Sequence, residues 1–208
     1  MKIKVCGMKN PDNIRELSRL PIDLMGLIFY PKSPRYIENL NPKDLDILPE
    51  NIGRVGVFVN EEQEKVKEAI VKYGLNYVQL HGIESAQYCR DLKIAYPSVY
   101  IIKAFSIADP SDFRETHQYE NIVDYFLFDT KTPQYGGSGQ KFDWKILHEY
   151  KGATLFFLSG GISAEDALLI RKLGNIRIVG LDLNSRFELE PGLKNIELLN
   201  RFIKEIES

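Results

Sequence analysis

Two side chains in this sequence sit where proton chemistry is often done. Asp129 is the first carboxylate after the unbroken aromatic and aliphatic run 125–128. An acid at the end of a buried strand, under a loop able to close, is one way a water-excluded acid/base site is built. The loop 131–141 carries three glycines and a serine before Phe142 and Trp144 resume apolar sequence. The same carboxylate also suits a plain strand-ending turn cap. Cys6 ends the first apolar run as Val-Cys-Gly. Most free cysteines are small buried hydrophobes, whereas a thiol at a strand end is placed to react. Cys89 lies mid-helix beside Tyr88 and takes the buried reading.

The other candidates also stand at ends of apolar runs. Pro31-Lys-Ser-Pro-Arg35-Tyr36 is a stiff loop presenting Arg35, whose guanidinium suits bidentate recognition of a planar carboxylate but equally suits a solvated surface. His81 follows Gln79-Leu80 and fits either a substrate contact or a contact to the next helix. Ser159-Gly160-Gly161 lets backbone amides approach an anion, with a helix start behind them at Ser163. Asp182, Asn184, Ser185 and Arg186 follow the last apolar run and add further polar groups, including a guanidinium. His117 and His148 fall on helical segments and read as solvated. The His and carboxylate residues show no metal-ligand cluster and no Ser-His-Asp order.

The elements that must position these residues are short β-branched runs alternating with amphipathic segments. Strands are expected at 3–6, 24–29, 55–59, 77–80, 99–104, 125–128, 154–158 and 176–181. Helices are expected from Pro11 with Asn10 as cap, at 42–48, from Asn60 as cap towards Tyr73, and at 84–93. Further helices are expected at 111–119, 143–150, after a Ser163–Asp166 cap, and at 193–206. Eight strand-then-helix units without a linker imply one domain over 1–208, an α/β single-domain (β/α)8 TIM barrel. The competing open doubly wound sheet lacks its G-x-G-x-x-G after the first strand. In a barrel the functional side chains lie at the C-terminal strand ends, and the loops after strands seven and eight are the frequent phosphate site. Strands one and six are three apart around such a ring. A substrate between Cys6 and Asp129 is then open to protonation from one side and deprotonation from the other.

Composition narrows the partners. With 44% hydrophobic and 27% charged residues and a net charge of −2, the chain has no general field for nucleic acid or anionic lipid. No apolar run approaches the roughly 18 residues of a membrane span, and Met1-Lys-Ile-Lys-Val has no signal-peptide character. Two cysteines make no disulfide framework. The expectation is a cytoplasmic protein with a small-molecule partner, no nucleic acid and no membrane, as a monomer or homodimer.

Taken together, the motifs resemble the phosphoribosylanthranilate isomerase family of tryptophan biosynthesis. The matching stretches are Lys4-Val-Cys-Gly7, Gly26-Leu-Ile-Phe-Tyr-Pro-Lys-Ser-Pro-Arg-Tyr36, Val55-Gly-Val-Phe-Val-Asn60 and Val78-Gln-Leu-His-Gly82. Then come Phe128-Asp129, Gly136-Gly-Ser-Gly-Gln-Lys-Phe-Asp-Trp144, Leu158-Ser-Gly-Gly161, Leu181-Asp-Leu-Asn-Ser185 and Pro191-Gly192. The resemblance runs in order over the whole chain. It implies Cys6 as general base, Asp129 as general acid and Arg35 on the anthranilate carboxylate, while the loops after strands seven and eight put the expected phosphate on Gly160, Gly161, Asn184, Ser185 and Arg186. His81 and Asp182 complete the expected substrate contacts. The chain departs from the pattern after Ser185, where Arg186-Phe187 replaces the family's frequent Gly-Val before Glu188.

The reaction implied is an Amadori rearrangement of N-(5-phosphoribosyl)anthranilate, with no metal and no organic cofactor. An ordinary Asp, near 3.9, is ionised at neutral pH and an ordinary Cys, near 8.5, is mostly thiol, so each group needs help from its surroundings. The rivals are another phosphosugar isomerase or epimerase barrel, or a non-catalytic barrel that binds a phosphorylated ligand. A histidine-pathway aldose–ketose isomerase is expected to carry Asp where this chain has Cys6. An epimerase is expected to carry metal-binding His and Asp, and an indole-forming synthase a Lys and Glu pair. A binding module needs neither Cys6 nor Asp129.

Overall fold

Runs that are apolar on both faces form parallel strands covered inside and out. In the computed structural model, which describes residues 1–130, 143–174 and 177–208, eight of them close into a ring. They are β1 (Lys2–Cys6), β2 (Leu24–Ile28), β3 (Gly53–Phe58), β4 (Tyr77–Leu80), β5 (Tyr100–Ile107), β6 (Tyr125–Thr130), β7 (Phe156–Leu158) and β8 (Ile178–Leu183). Neighbours in sequence pair in parallel, and β8 returns to β1 with Lys4 opposite Asp182. The α/β barrel expected from the alternation of elements is the fold observed.

Alternation along each strand sends every second residue inward. Leu24, Val55, Val57, Ile102, Leu127 and Phe157 fill the interior below Cys6. At the N-terminal mouth the Tyr77 and Tyr100 rings stack at 4.9 Å, Tyr125 lies 6.3 Å from Tyr100, and Phe157 meets Tyr125 at 5.7 Å. That end is closed by aromatic side chains. The polar groups gather at the other.

The outer layer follows helical spacing. Helix α1 (Pro11–Leu17) starts as expected, with Asn10 accepting from the Asn13 amide at 3.0 Å. Helices α2 (Gln63–Tyr73), α3 (Ala86–Ala95), α4 (Ala167–Lys172) and α5 (Ile196–Glu207) complete the α-helical set among the described residues. On α5 the buried residues Leu199, Phe202, Ile203 and Ile206 make one apolar stripe.

Several local expectations are corrected. Asn60 does not cap α2; the residue before it, Glu62, makes no side-chain cap bond. Asn60 instead adopts φ 52, a left-handed geometry that Asn tolerates, and accepts from the Ile83 amide at 2.7 Å. The segments Pro42–Leu45, Pro110–Tyr119 and Trp144–Glu149 are 3₁₀ helices. In the second, the buried Phe113, Thr116 and Tyr119 are three apart, which aligns them at three residues per turn. The eighth strand runs two residues beyond the expected end, so Asp182 lies within it; Ile176 and the loop 131–141, with Phe142, lie outside the described residues. Nor does the last helix begin at Leu193. Pro191-Gly192 turns a hairpin between β9 (Glu188–Glu190) and β10 (Leu193–Lys194), and α5 starts only after Asn195.

Candidate active site

Cys6 is the last residue of β1 and is buried. Its partner on β2 is Gly26, where a Cβ would lie 2.7 Å from Cys6 Sγ. The neighbouring strand thus has to be side-chain-free to admit the thiol. Burial pushes the Cys6 thiol up; Lys4 opposes this, Asp182 adds to it, and Lys194 opposes it, with a net rise. Lys4 is inward on the same strand, two residues below, and its Nζ meets Asp182 Oδ1 at 2.6 Å. Burial works against the Lys4 charge, but Asp182 and Cys6 outweigh it and raise Lys4. Asp182 also accepts from Ser159 Oγ at 3.3 Å through its second oxygen.

Asp129 lies within β6, three strand positions from Cys6 around the ring. Its Oδ1 accepts from the Thr130 amide at 2.8 Å, and its Oδ2 lies 3.5 Å from His81 Nε2. Gly160, at φ 91, comes so close that a Cβ there would sit 3.0 Å from Asp129 Oδ1. Glycine is therefore required beside the acid as well as beside the thiol. His81 Nδ1 meets Gln79 Nε2 at 2.8 Å. The backbone around His81 is braced from β5: Lys103 Nζ donates to Leu80 O at 3.2 Å and Gly82 O at 2.7 Å, and pairs with buried Glu84 at 3.4 Å.

Arg35 is buried, not solvated, and its guanidinium fork grips Glu188. Nε lies 2.9 and 3.1 Å from the two carboxylate oxygens, and Nη2 lies 2.6 Å from Oε2. Nη1 takes no part in that fork. Glu188 also accepts from Lys194 Nζ at 2.6 Å and the Gly192 amide at 3.0 Å, and Lys194 donates onward to Asn184 Oδ1 at 2.7 Å. Burial lowers Lys194, against the pull of Glu188 and Cys6.

Gly160 and Gly161, at φ 91 and 67, make the turn after β7. Behind them comes a three-residue 3₁₀ segment before α4, and the Ser163 hydroxyl is engaged by Asp166 at 2.8 Å. After β8, Asn184 leads into the 3₁₀ turn Ser185–Phe187. Arg186 is exposed at the rim, while Phe187 is fully buried against Phe202 at 5.1 Å. The residue pair that departs from the family pattern thus divides between solvent and core. His117 and His148 are exposed. Among the described residues no group of three or more His, Cys, Asp and Glu is arranged to hold a metal ion.

Gln79, Glu188 and Lys194 belong to this site and were not picked out from sequence, and Lys4 was a cation near Cys6 whose direction the sequence left open. The available signal was parity: Lys4 and Gln79 stand two residues before Cys6 and His81 and so share their faces of the strands.

A family model described as N-(5'-phosphoribosyl)anthranilate (PRA) isomerase matches residues 3–205. An N-(5'-phosphoribosyl)anthranilate isomerase of Parabacteroides distasonis is 50% identical over 208 residues, covering 99% of this chain and 93% of the relative. A crystal structure of phosphoribosyl anthranilate isomerase with reduced 1-(o-carboxyphenylamino)-1-deoxyribulose 5-phosphate superposes with TM-score 0.84 at 32% identity, covering 100% of this chain and 98% of the other. Monomers generated from the dimeric enzyme of Thermotoga maritima superpose with TM-score 0.82, also at 32% identity and with coverage of 100% and 98%.

Proposed function

The chain belongs to the N-(5'-phosphoribosyl)anthranilate isomerase family, and from that membership we propose how its own residues divide the work of the reaction. The activity is an intramolecular aldose–ketose isomerisation of tryptophan biosynthesis. It converts N-(5-phosphoribosyl)anthranilate into 1-(2-carboxyphenylamino)-1-deoxyribulose 5-phosphate.

In this proposal the ribose lies between Asp129 and Cys6. Asp129 gives its proton to the ring oxygen, and the C1–O bond breaks to leave an iminium at C1. Cys6, as thiolate, takes the proton from C2, which yields the enolamine. Return of a proton to C1 and loss of the C2 hydroxyl proton give the ketone, so atoms balance without an oxidant. Each positioned proton transfer typically contributes about 10²- to 10⁴-fold.

Gly160, Gly161, Asn184, Ser185 and Arg186 hold the phosphate. Arg35 receives the anthranilate carboxylate through the edge of its guanidinium that Glu188 leaves open, with His81 beside the acid. Asp182 acts through Lys4, keeping a cation next to a thiol that burial holds up. All these groups come from one chain, so the reaction asks for no second subunit whether the protein is monomer or homodimer. A cytoplasmic location is part of the same proposal, and no described helix is long and apolar enough to cross a membrane.

The observation that carries the assignment is the enclosed Lys4–Asp182 pair beside Cys6, on the far side of the ring from a carboxylate fixed by Thr130. The test is to generate the substrate in situ, follow loss of its fluorescence, and alkylate Cys6 with and without a reduced product analogue. Conversion together with protection of Cys6 is expected. Failure of folded protein to convert the substrate contradicts the activity, and conversion without protection contradicts the placement of Cys6.

A further inference from the structure

Gln79 is 1% exposed, inward-facing on β4, and two residues before His81. Its amide has one partner among the described residues, His81 Nδ1 at 2.8 Å, and its Oε1 is buried without one. A buried amide with a single partner must orphan one end. The end turned to His81 is the NH₂, which can only donate. His81 Nδ1 is then an acceptor, and the ring hydrogen is on Nε2, which faces Asp129 Oδ2 at 3.5 Å.

This has a consequence for the acid step and rests on the proposed role of Asp129. A second ring proton, on Nδ1, would face the Gln79 amide donor against donor. Lys103 holds the Leu80 and Gly82 carbonyls on either side of His81, and its counter-ion Glu84 is engaged below by the Asn60 and Gly82 amides. Of the charged groups named around His81, Asp129 is the one that meets its ring directly. We propose that Gln79 is a positioning residue for Asp129, fixing His81 as the neutral Nε2–H tautomer. A neutral ring puts no full positive charge beside Asp129, and its Nε2–H is in place for the carboxylate left after proton transfer.

The test reads the tautomer directly. Ring nitrogen–proton correlation spectra of the wild type, with His81→Asn to identify the signal among the three histidines, are expected to show His81 protonated on Nε2 and bare on Nδ1. Gln79→Glu gives Nδ1 an acceptor; the spectrum is expected to show both nitrogens protonated and kcat to fall at least about tenfold, with KM changed less than threefold. A His81 bare on Nε2 in the wild type overturns the proposal without any variant, even should Gln79→Glu fail to fold. A switched ring with unchanged kcat overturns it as well. Wild-type protein that does not convert the substrate sinks the reaction assignment while leaving the tautomer readable on its own.

Discussion

Lys4 Nζ lies 2.6 Å from Asp182 Oδ1 across the seam where β8 returns to β1, with the two side chains 0% and 5% exposed. The last pairing that closes the barrel therefore also sets a cation beneath the Cys6 thiol. Removing one member of such a pair leaves an uncompensated buried charge, at a cost of about 3–5 kcal/mol. Lys4→Met is expected to lose stability on that scale in urea denaturation, and adding Asp182→Asn to recover at least half of it. A Lys4→Met protein within about 1 kcal/mol of wild type contradicts the pairing.

The Cys6 thiol is pushed up from its ordinary range by burial, with Lys4 the largest opposing influence. The native state then keeps a proton that the unfolded chain releases, so this group's stabilisation is present below its ordinary unfolded value and is lost as pH rises through the higher native one. In a Cys89→Ala background, iodoacetamide is expected to label native Cys6 more slowly than free cysteine at pH about 8. Lys4→Met is expected to slow it further, while the activity kcat/KM rises with pH as thiolate accumulates. Labelling as fast as that of free cysteine overturns the electrostatic account of this site.

Strand order and the place of each candidate at a strand end were legible because both-faces-apolar runs are hard to mistake for helix. The corrections have physical causes. Lys194 looks like a surface lysine in sequence, and although parity puts Lys4 on the face of Cys6, only a fold can show that Glu188 and Asp182 await them. Asn60 has the composition of a cap, but a left-handed turn bonded to Ile83 serves two loops at once. The hairpin at Glu188–Lys194 was hidden because Leu193 continues the apolar spacing of the helix behind it. Arg35 read equally as a surface charge or a carboxylate ligand; the buried Glu188 fork excludes the first.

Glu188 joins Arg35, Lys194 and the Gly192 amide. Burial pushes its carboxyl up, but those three donors outweigh it and hold the group below the usual carboxylate range. Its stabilisation is therefore complete above its ordinary value of 4.5 and lost as pH falls through the lower native value. Urea midpoints followed down from about pH 6 to about pH 3 should fall for the wild type, and less steeply for Glu188→Gln. Parallel slopes would place the acid sensitivity elsewhere.

The central claim is the division of labour between Cys6 and Asp129. The most direct measurement is turnover of N-(5-phosphoribosyl)anthranilate by wild type, Cys6→Ala and Asp129→Ala under matched conditions, with folding checked by circular dichroism. The account predicts conversion by the wild type and a loss of at least about 10²-fold in kcat for each variant. A well-folded Cys6→Ala or Asp129→Ala protein that turns over at the wild-type rate would contradict it.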